Sequence, residues 1–210
     1  MADAMTYGFE VIVSNSKRND TQNITGFFGT VADDTFTPAE VEEGFLCKQH
    51  ARTLNEGYGL HSIKNKNTWE MVAANNGLVA TLPGDHTGIY AANTYNVNAL
   101  TDGELVVNFP GKTLGLKTPA GERCDFTEII IGEMYAFGYK NTAVTGDDSE
   151  AKDATFAEGE ILSIVNGKLS TAAATAGHLA FEIIDATGRF TEGAADGGRK
   201  IIVRAIKAAS

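Results

Sequence analysis

Cysteine is scarce in this sequence, with two residues in 210, Cys47 and Cys124. They lie far apart along the chain, so they supply neither a disulfide framework nor the paired spacing of a zinc site. We expect both to be reduced, small, buried side chains, with a disulfide between them as the alternative. Cross-links are therefore not expected to define the fold.

Proline is also scarce, at 4 residues, whereas glycine is abundant, at 23. This balance favours many tight turns over rigid linkers, as in sheets that are joined by short loops. A chain of this length can be one large β domain or two small ones, and it can bury a substantial core.

Long apolar runs are absent, and the first residues show no basic-then-apolar signal. We therefore expect no membrane partner, and a protein that is made in the cytoplasm and acts there or leaves the cell by lysis. The formal net charge of −10 repels phosphate backbones, so no nucleic-acid partner is expected. The densest basic run is interpreted as solvated charge on an edge strand and comprises Arg199, Lys200, Arg204 and Lys207.

What the chain does contain is many short β-branched and aromatic runs between turn residues. The clearest occupies residues 156–168 and includes Asn166 and Gly167, a dipeptide typical of a two-residue hairpin turn. When residues 102–112 are aligned with residues 158–168, glycine, glutamate and lysine positions coincide. Both an internal duplication and convergence on the same turn residues explain this similarity.

One compact helix is predicted at residues 37–44. Thr37 suits the N-cap, Pro38 suits the first helical position, Glu40 completes a capping box, and Gly44 would end the helix. The predicted fold class is mostly β: antiparallel sheets in a barrel- or sandwich-like arrangement, with one or two short helices and a possible internal duplication.

Changes in composition divide the chain into four segments. The predicted organisation is an N-terminal strand with a polar docking arm at residues 1–30, a β-rich domain at 31–141, a linker or surface loop at 142–152 and a small C-terminal β unit at 153–210.

The aromatic residues are expected to lie mainly in cores. Trp69 lies within an apolar run, which favours a core anchor over a ligand platform. Tyr135, Phe137 and Tyr139 alternate onto one face of a strand, and we expect that stripe to pack against another sheet or a partner.

The histidines do not form a recognisable metal or catalytic pattern: His50, His61, His86 and His178 include no pair at the spacing of a helical metal site. Of these, His86 is the most suggestive because Asp85 precedes it in a glycine-containing loop. It is interpreted as a solvated loop histidine.

Two further motifs fail on spacing. Gly111, Lys112 and Thr113 resemble the end of a phosphate-binding loop, but the upstream glycine is missing. The acidic residues at 147–153 lack the spacing of a calcium loop. We therefore predict no enzyme, no catalytic residue, no cofactor and no metal site.

Residues 155–168 resemble the opening of small β-rich head-decoration proteins of tailed bacteriophages: a phenylalanine, a glycine, a strand and then a glycine-containing turn. The likeness covers mainly residues 153–206, with a looser echo in 33–93. The resemblance implies an auxiliary virion protein, assembled in the host cytoplasm, that binds the outside of a phage head and reinforces contacts between coat subunits. It also implies the major capsid protein as a partner and a homo-oligomer, with a trimer favoured. Residues 1–30 would be the docking arm.

Two alternatives stay open. The chain could be another virion subunit, such as a major coat, tail-tube or head-fibre protein. It could also be a carbohydrate-binding β module, in which Trp69, Tyr90 and Tyr95 would form an exposed aromatic platform.

Overall fold

The computed structural model describes residues 9–13, 23–53, 68–75, 86–93, 117–138, 142–144, 147–150, 156–186 and 200–209. Every regular element in these ranges is a β-strand, which confirms the mostly β fold class. The strands are β1 (Phe9–Val13), β2 (Asn23–Ala32), β3 (Thr35–Pro38), β4 (Val41–Glu42), β5 (Leu46–Thr53), β6 (Thr68–Ala73), β7 (His86–Asn93), β8 (Lys117–Thr118), β9 (Cys124–Ile130), β10 (Met134–Gly138), β11 (Thr142–Val144), β12 (Asp147–Glu150), β13 (Ile161–Val165), β14 (Lys168–Ser170), β15 (Leu179–Asp185) and β16 (Lys200–Lys207).

Five strands close into a small barrel in the order β2, β6, β5, β7, β9 and back to β2. The β2–β6 pair is parallel and the other four pairs are antiparallel. Gly26 pairs with both neighbours of β2, and a Cβ there would collide with the Trp69 carbonyl. Because the ring is closed, each of these five strands has a hydrogen-bonded neighbour on both sides. Outside the ring, β3 pairs with β2 as a hairpin.

The second layer is an eight-stranded sheet in the order β1, β10, β16, β15, β13, β14, β11, β12. Its pairs are antiparallel except for β11–β14, which is parallel. This sheet contains strands from each of the four segments predicted from the sequence. Residues 142–152, for example, contribute β11 and β12.

Two hydrophobic cores follow from the alternation of side chains along the barrel strands. One core fills the barrel and contains Cys47, Tyr90 and Phe126, together with Val41 from the two-stranded β4–β8 ribbon. The other lies between the barrel and the eight-stranded sheet, and it includes Ile89 of the barrel. A strand such as β7 is therefore buried on both faces, which explains its unbroken apolar run.

The aromatic stripe predicted on β10 lies in the core between the two layers. Tyr135 and Phe137 are fully buried there. Phe9 of β1 contacts both rings at centroid distances of 5.7 and 5.3 Å, and Phe181 of β15 contacts Phe137. The core position of these two residues is confirmed; Tyr139 lies outside the described residues.

The turn at Asn166 and Gly167 joins the two layers. Both residues have positive φ, 47° and 77°, so the predicted hairpin turn is confirmed as type I′. Three main-chain hydrogen bonds then form a closed triangle: Leu46 N–H to Gly167 C=O (2.8 Å), Gly167 N–H to Ala74 C=O (2.9 Å) and Ala74 N–H to Leu46 C=O (2.9 Å). The Asn166 N–H also donates to Oδ1 of Asn75 at 2.7 Å. We call this contact the main-chain triangle.

Four other turns share one geometry. In each, a glycine with positive φ donates its N–H to the carbonyl of an opposing residue. The opposing residue donates its own N–H to the carbonyl of the residue after the glycine. Two residues thus oppose one, which is a G1 bulge that follows a type II turn. Each such glycine lies two positions before β5, β10, β13 or β15. The glycines and the opposing residues are Gly44 with Ala92, Gly132 with Ala205, Gly159 with Ile183, and Gly177 with Ala208.

The predicted helix at residues 37–44 is wrong. Thr35–Pro38 pairs with β2 as β3, and Val41–Glu42 pairs with β8 as β4. The extended chain buries Val41 in the barrel core, where it is 2% exposed. Long-range pairing therefore overrides the local capping signals. The internal duplication stays a prediction, because residues 102–112 lie outside the described residues.

Candidate functional site at the bulge of β7

A bulge of two extra residues in β7 interrupts its pairing with β9. His86 pairs with Ile130 and Tyr90 pairs with Glu128, so the register shifts by two residues between these pairs. Gly88 has a φ of 68° within the bulge. Bulges of this kind redirect side chains and are frequent beside functional sites.

Inside the bulge, the hydroxyl of the buried Thr87 makes hydrogen bonds that main-chain groups make in a regular ladder. The Thr87 hydroxyl donates to the carbonyl of Ile129 at 2.6 Å and accepts the N–H of Ile89 at 3.1 Å. Because the side chain satisfies groups that the ladder leaves without a strand partner, the bulge is a well-bonded element of the fold.

The bulge brings His86 and Glu128 together. Nδ1 of His86 lies 2.7 Å from Oε2 of Glu128, and the N–H of Gly88 donates to Oε1 of the same carboxylate at 3.2 Å. The Glu128 side chain is 6% exposed, whereas that of His86 is 57% exposed. The imidazole therefore covers a buried carboxylate and links the end of β7 to β9.

Tyr90 extends this polar group toward the barrel core. Its hydroxyl accepts a hydrogen bond from Nε2 of Gln49 at 3.4 Å. Burial, and then the negative charge of Glu128, raise the pKa of Tyr90 to about 12. The phenol thus keeps its proton at neutral pH. Together these residues form the His86–Glu128 site, in which a histidine is held in position by a buried carboxylate.

The sequence singled out His86 but missed Glu128 and Gln49. A usable signal was present, because Glu128 directly precedes three consecutive isoleucines, at positions 129 to 131. A charged residue beside such a run needs a partner when the strand is buried on both faces. The partner itself depends on the bulge, for which the sequence carries no recognised pattern.

The two cysteines lie in the barrel core, and both are free and buried, as predicted. Burial, and then the proximity of Cys124, raise the pKa of the Cys47 thiol well above its ordinary value. Burial likewise raises the pKa of Cys124 to about 11, although the Thr118 hydroxyl acts in the opposite direction. Protonated, buried thiols of this kind are poor nucleophiles and poor metal ligands.

The remaining candidates from the sequence are scattered. His50 is exposed on β5, and His178 is half-buried in the turn before β15. Within the described ranges, no three His, Cys, Asp or Glu side chains are grouped so that they could hold a metal ion. Others lie outside the described residues: His61, Asp85, Gly111, Lys112, Thr113 and Asp153.

Two of the three rings expected in a carbohydrate platform belong to the barrel core. Tyr90 is 8% exposed, and Trp69 is half-buried against the same cluster. An exposed platform is therefore not formed by these two rings, while Tyr95 lies outside the described residues.

Comparisons of the chain with protein-family models, with curated proteins and with solved structures found no match. In the part of the chain that the structure describes, no helix is both long enough and apolar enough to cross a membrane.

Proposed function

We propose that this chain is a structural virion protein that binds the outside of a tailed-phage head and stabilises contacts between coat subunits. The observation that supports the proposal is the local structure of residues 156–168. Phe156 is buried in the core between the layers, Gly159 forms a turn, β13 follows, and Gly167 completes a hairpin turn. This is the order of features on which the resemblance to head-decoration proteins rests.

A rigid two-layer body suits such a role. The barrel and the eight-stranded sheet share one core and are bonded by the main-chain triangle. On a head with many equivalent sites, each bound copy needs only a modest affinity, because repeated contacts across the lattice act together.

Within residues 1–30, the proposed docking arm is the part that precedes β1, with the major capsid protein as its partner, because residues 23–30 belong to β2 of the closed barrel. β1 follows the arm and pairs with β10 at one end of the eight-stranded sheet. Phe9 in β1 is anchored between Tyr135 and Phe137. A pull on the arm would thus be transmitted directly to the sheet.

The proposal is tested by quantitative mass spectrometry of purified phage heads from cells that produce the chain. We expect the chain at a fixed ratio to the major coat subunit. A variant that lacks residues 1–8, and so keeps β1, should stay folded and lose head binding. Recovery of the full-length chain only in the soluble fraction would contradict the proposed function.

Sedimentation of the purified protein separates this role from that of a major coat or tail-tube subunit. A decoration protein remains a small oligomer when no head is present. Rings or tubes that form spontaneously would instead support the coat or tail-tube alternative.

A further inference from the structure

The hairpin turn at Asn166 and Gly167 contains a dipeptide that can modify itself chemically. In an Asn-Gly dipeptide the glycine nitrogen can attack Cγ of the asparagine, because no side chain on the glycine hinders the approach. Ammonia leaves, a five-membered succinimide ring forms, and water then opens the ring to give aspartate or isoaspartate. Asn166 is exposed to solvent, so water can reach its side chain. The junction between the two layers therefore carries a potential modification site.

The backbone of the turn keeps the two reacting atoms apart. The ring closes only when the Gly167 nitrogen eclipses Cβ of Asn166 about the Cα–C bond. Asn166 and Gly167 have the positive φ values of a type I′ turn, 47° and 77°. The first central residue of such a turn has a ψ of about 30°, which in an L-residue places the next nitrogen nearly anti to Cβ. Attack therefore requires the peptide group between the two residues to rotate.

Hydrogen bonds and packing oppose that rotation. The N–H of Gly167, whose nitrogen is the nucleophile, donates to the carbonyl of Ala74 at 2.9 Å. The N–H of Asn166 donates to Oδ1 of Asn75 at 2.7 Å and fixes the preceding peptide group. Gly167 is buried, and the ring of Phe45 occupies the space that a Cβ on it would need. The nitrogen must lose its proton before it attacks, and a buried proton that is already donated is protected from base.

We propose that Asn166 is a latent self-modification site: its reaction is blocked while the barrel and the eight-stranded sheet are joined, and it proceeds when the main-chain triangle opens. The reaction needs only water. A bond forms between the Gly167 nitrogen and Cγ of Asn166, and the bond from Cγ to the side-chain nitrogen breaks. The proton of the Gly167 nitrogen leaves with the ammonia, and water adds to one of the two ring carbonyls.

The isoaspartate product cannot rebuild the junction. In isoaspartate the main chain runs through Cβ and Cγ, so the link between residues 166 and 167 gains one methylene group. The turn joins the paired residues Val165 and Lys168. A longer turn cannot keep that pair and also place the Gly167 peptide group against Ala74. The aspartate product keeps the main-chain length, and Asp-Gly also suits a type I′ turn, so this product should retain the junction.

This inference concerns the chain alone, so it holds or fails independently of the proposed virion role. It gives the junction a chemical memory. Each opening allows a reaction, and the isoaspartate form then remains open.

The first test is peptide mapping by mass spectrometry of the full-length protein after incubation in mildly alkaline buffer, with and without urea. Asn166 should convert more slowly in the native protein by about a hundredfold or more, because the junction must open before the ring can close. A second Asn-Gly dipeptide, Asn76 and Gly77, lies outside the described residues. In urea the two dipeptides should convert at similar rates, so Asn76 is the internal reference for the chemistry.

A single substitution loosens the junction without altering the reacting dipeptide. Asn75→Ala removes the acceptor of the Asn166 N–H. It should raise the native rate by about two- to tenfold, the effect of one lost hydrogen bond on the opening equilibrium, and leave the rate in urea unchanged. Asp34→Ala is the matched control, because it strains the turn between β2 and β3, outside the barrel ring. It should lower stability without raising the rate at Asn166.

The second test compares the two products. It uses an Asn76→Ser background, in which Asn166 belongs to the one remaining Asn-Gly dipeptide. The protein is partly converted in urea and refolded, and its isoaspartate form is isolated by chromatography. This form should unfold at a lower urea concentration than Asn166→Asp in the same background, although the two carry the same charge.

Three results would overturn the inference. They are conversion of Asn166 at the same rate in the native protein and in urea, equal acceleration by Asp34→Ala and Asn75→Ala, and urea unfolding curves that coincide for the isoaspartate form and Asn166→Asp.

Discussion

Substitution of Gly167 by alanine tests the main-chain triangle that joins the barrel to the eight-stranded sheet. Gly167 has a φ of 77°, and a Cβ on it would overlap the ring of Phe45. That ring is itself held edge-on against Phe28 at a centroid distance of 5.3 Å. The added methyl group must therefore displace either the ring or the turn.

The expected loss has two parts. An L-residue in the left-handed region costs about 1–2 kcal/mol, and forcing a methyl group into a packed site costs about 1–3 kcal/mol more. The free energy of unfolding should thus fall by about 2–5 kcal/mol. With a urea m-value of about 2 kcal/mol per molar, the unfolding midpoint should fall by about 1–2.5 M.

Gly159→Ala is the matched control, because Gly159 has a φ of 83° and a Cβ there meets nothing within 4 Å. It should show only the backbone part of the loss. The double variant Gly167→Ala with Phe45→Leu should recover part of the steric loss, and a double-mutant cycle measures that coupling. If Gly167→Ala and Gly159→Ala lower the midpoint equally, the ring contact contributes nothing and the reasoning is refuted.

Three further changes probe other parts of the molecule. His86→Ala should lower the free energy of unfolding by about 1–3 kcal/mol, because the buried Glu128 carboxylate loses one of its two described donors. Adding Glu128→Gln to this variant should restore part of the loss. Urea unfolding curves of His86→Ala that coincide with those of the wild type would contradict the role of the pair. Asp34→Gly should raise the melting temperature, since Asp34 has a φ of 59° in the type I′ turn between β2 and β3, whereas Asp34→Ala should lower it; equal shifts would show that backbone strain at this turn is unimportant. The pKa of Tyr90 is raised from 10 to about 12, so its contribution to stability is fully present below pH 10 and is lost as the pH rises toward 12, by up to about 2–3 kcal/mol. Tyr90→Phe should remove this part of the alkaline loss, and parallel stability-versus-pH curves for the two proteins would count against it.

Local chemistry was enough to predict those features whose causes lie within a few residues. The hairpin turn at Asn166 and Gly167 is one example, because two residues with positive φ are all that a type I′ turn requires. The buried stripe of Tyr135 and Phe137 is another, since the alternation is visible in the strand itself. The mostly β class follows from many such segments.

The features that could not be predicted depend on residues that are distant in the chain. The barrel closes where Asn23 pairs with Thr127, and no pattern near either residue specifies the other. The supposed helix at residues 37–44 failed for the same reason, since pairing with β2 and β8 decided its conformation. The site at the bulge combines both cases: His86 was conspicuous, but its partner was fixed by a register shift.

The bond between the two layers has a consequence for how this architecture can vary. Its donors and acceptors are peptide groups of Leu46, Ala74 and Gly167, which any amino acid other than proline supplies equally well. Only the glycine is held to one identity, by its backbone conformation and by the ring above it. Related proteins could therefore keep this junction while nearly all of their side chains diverge. Their common ancestry would then be detectable from the backbone structure after sequence similarity had been lost.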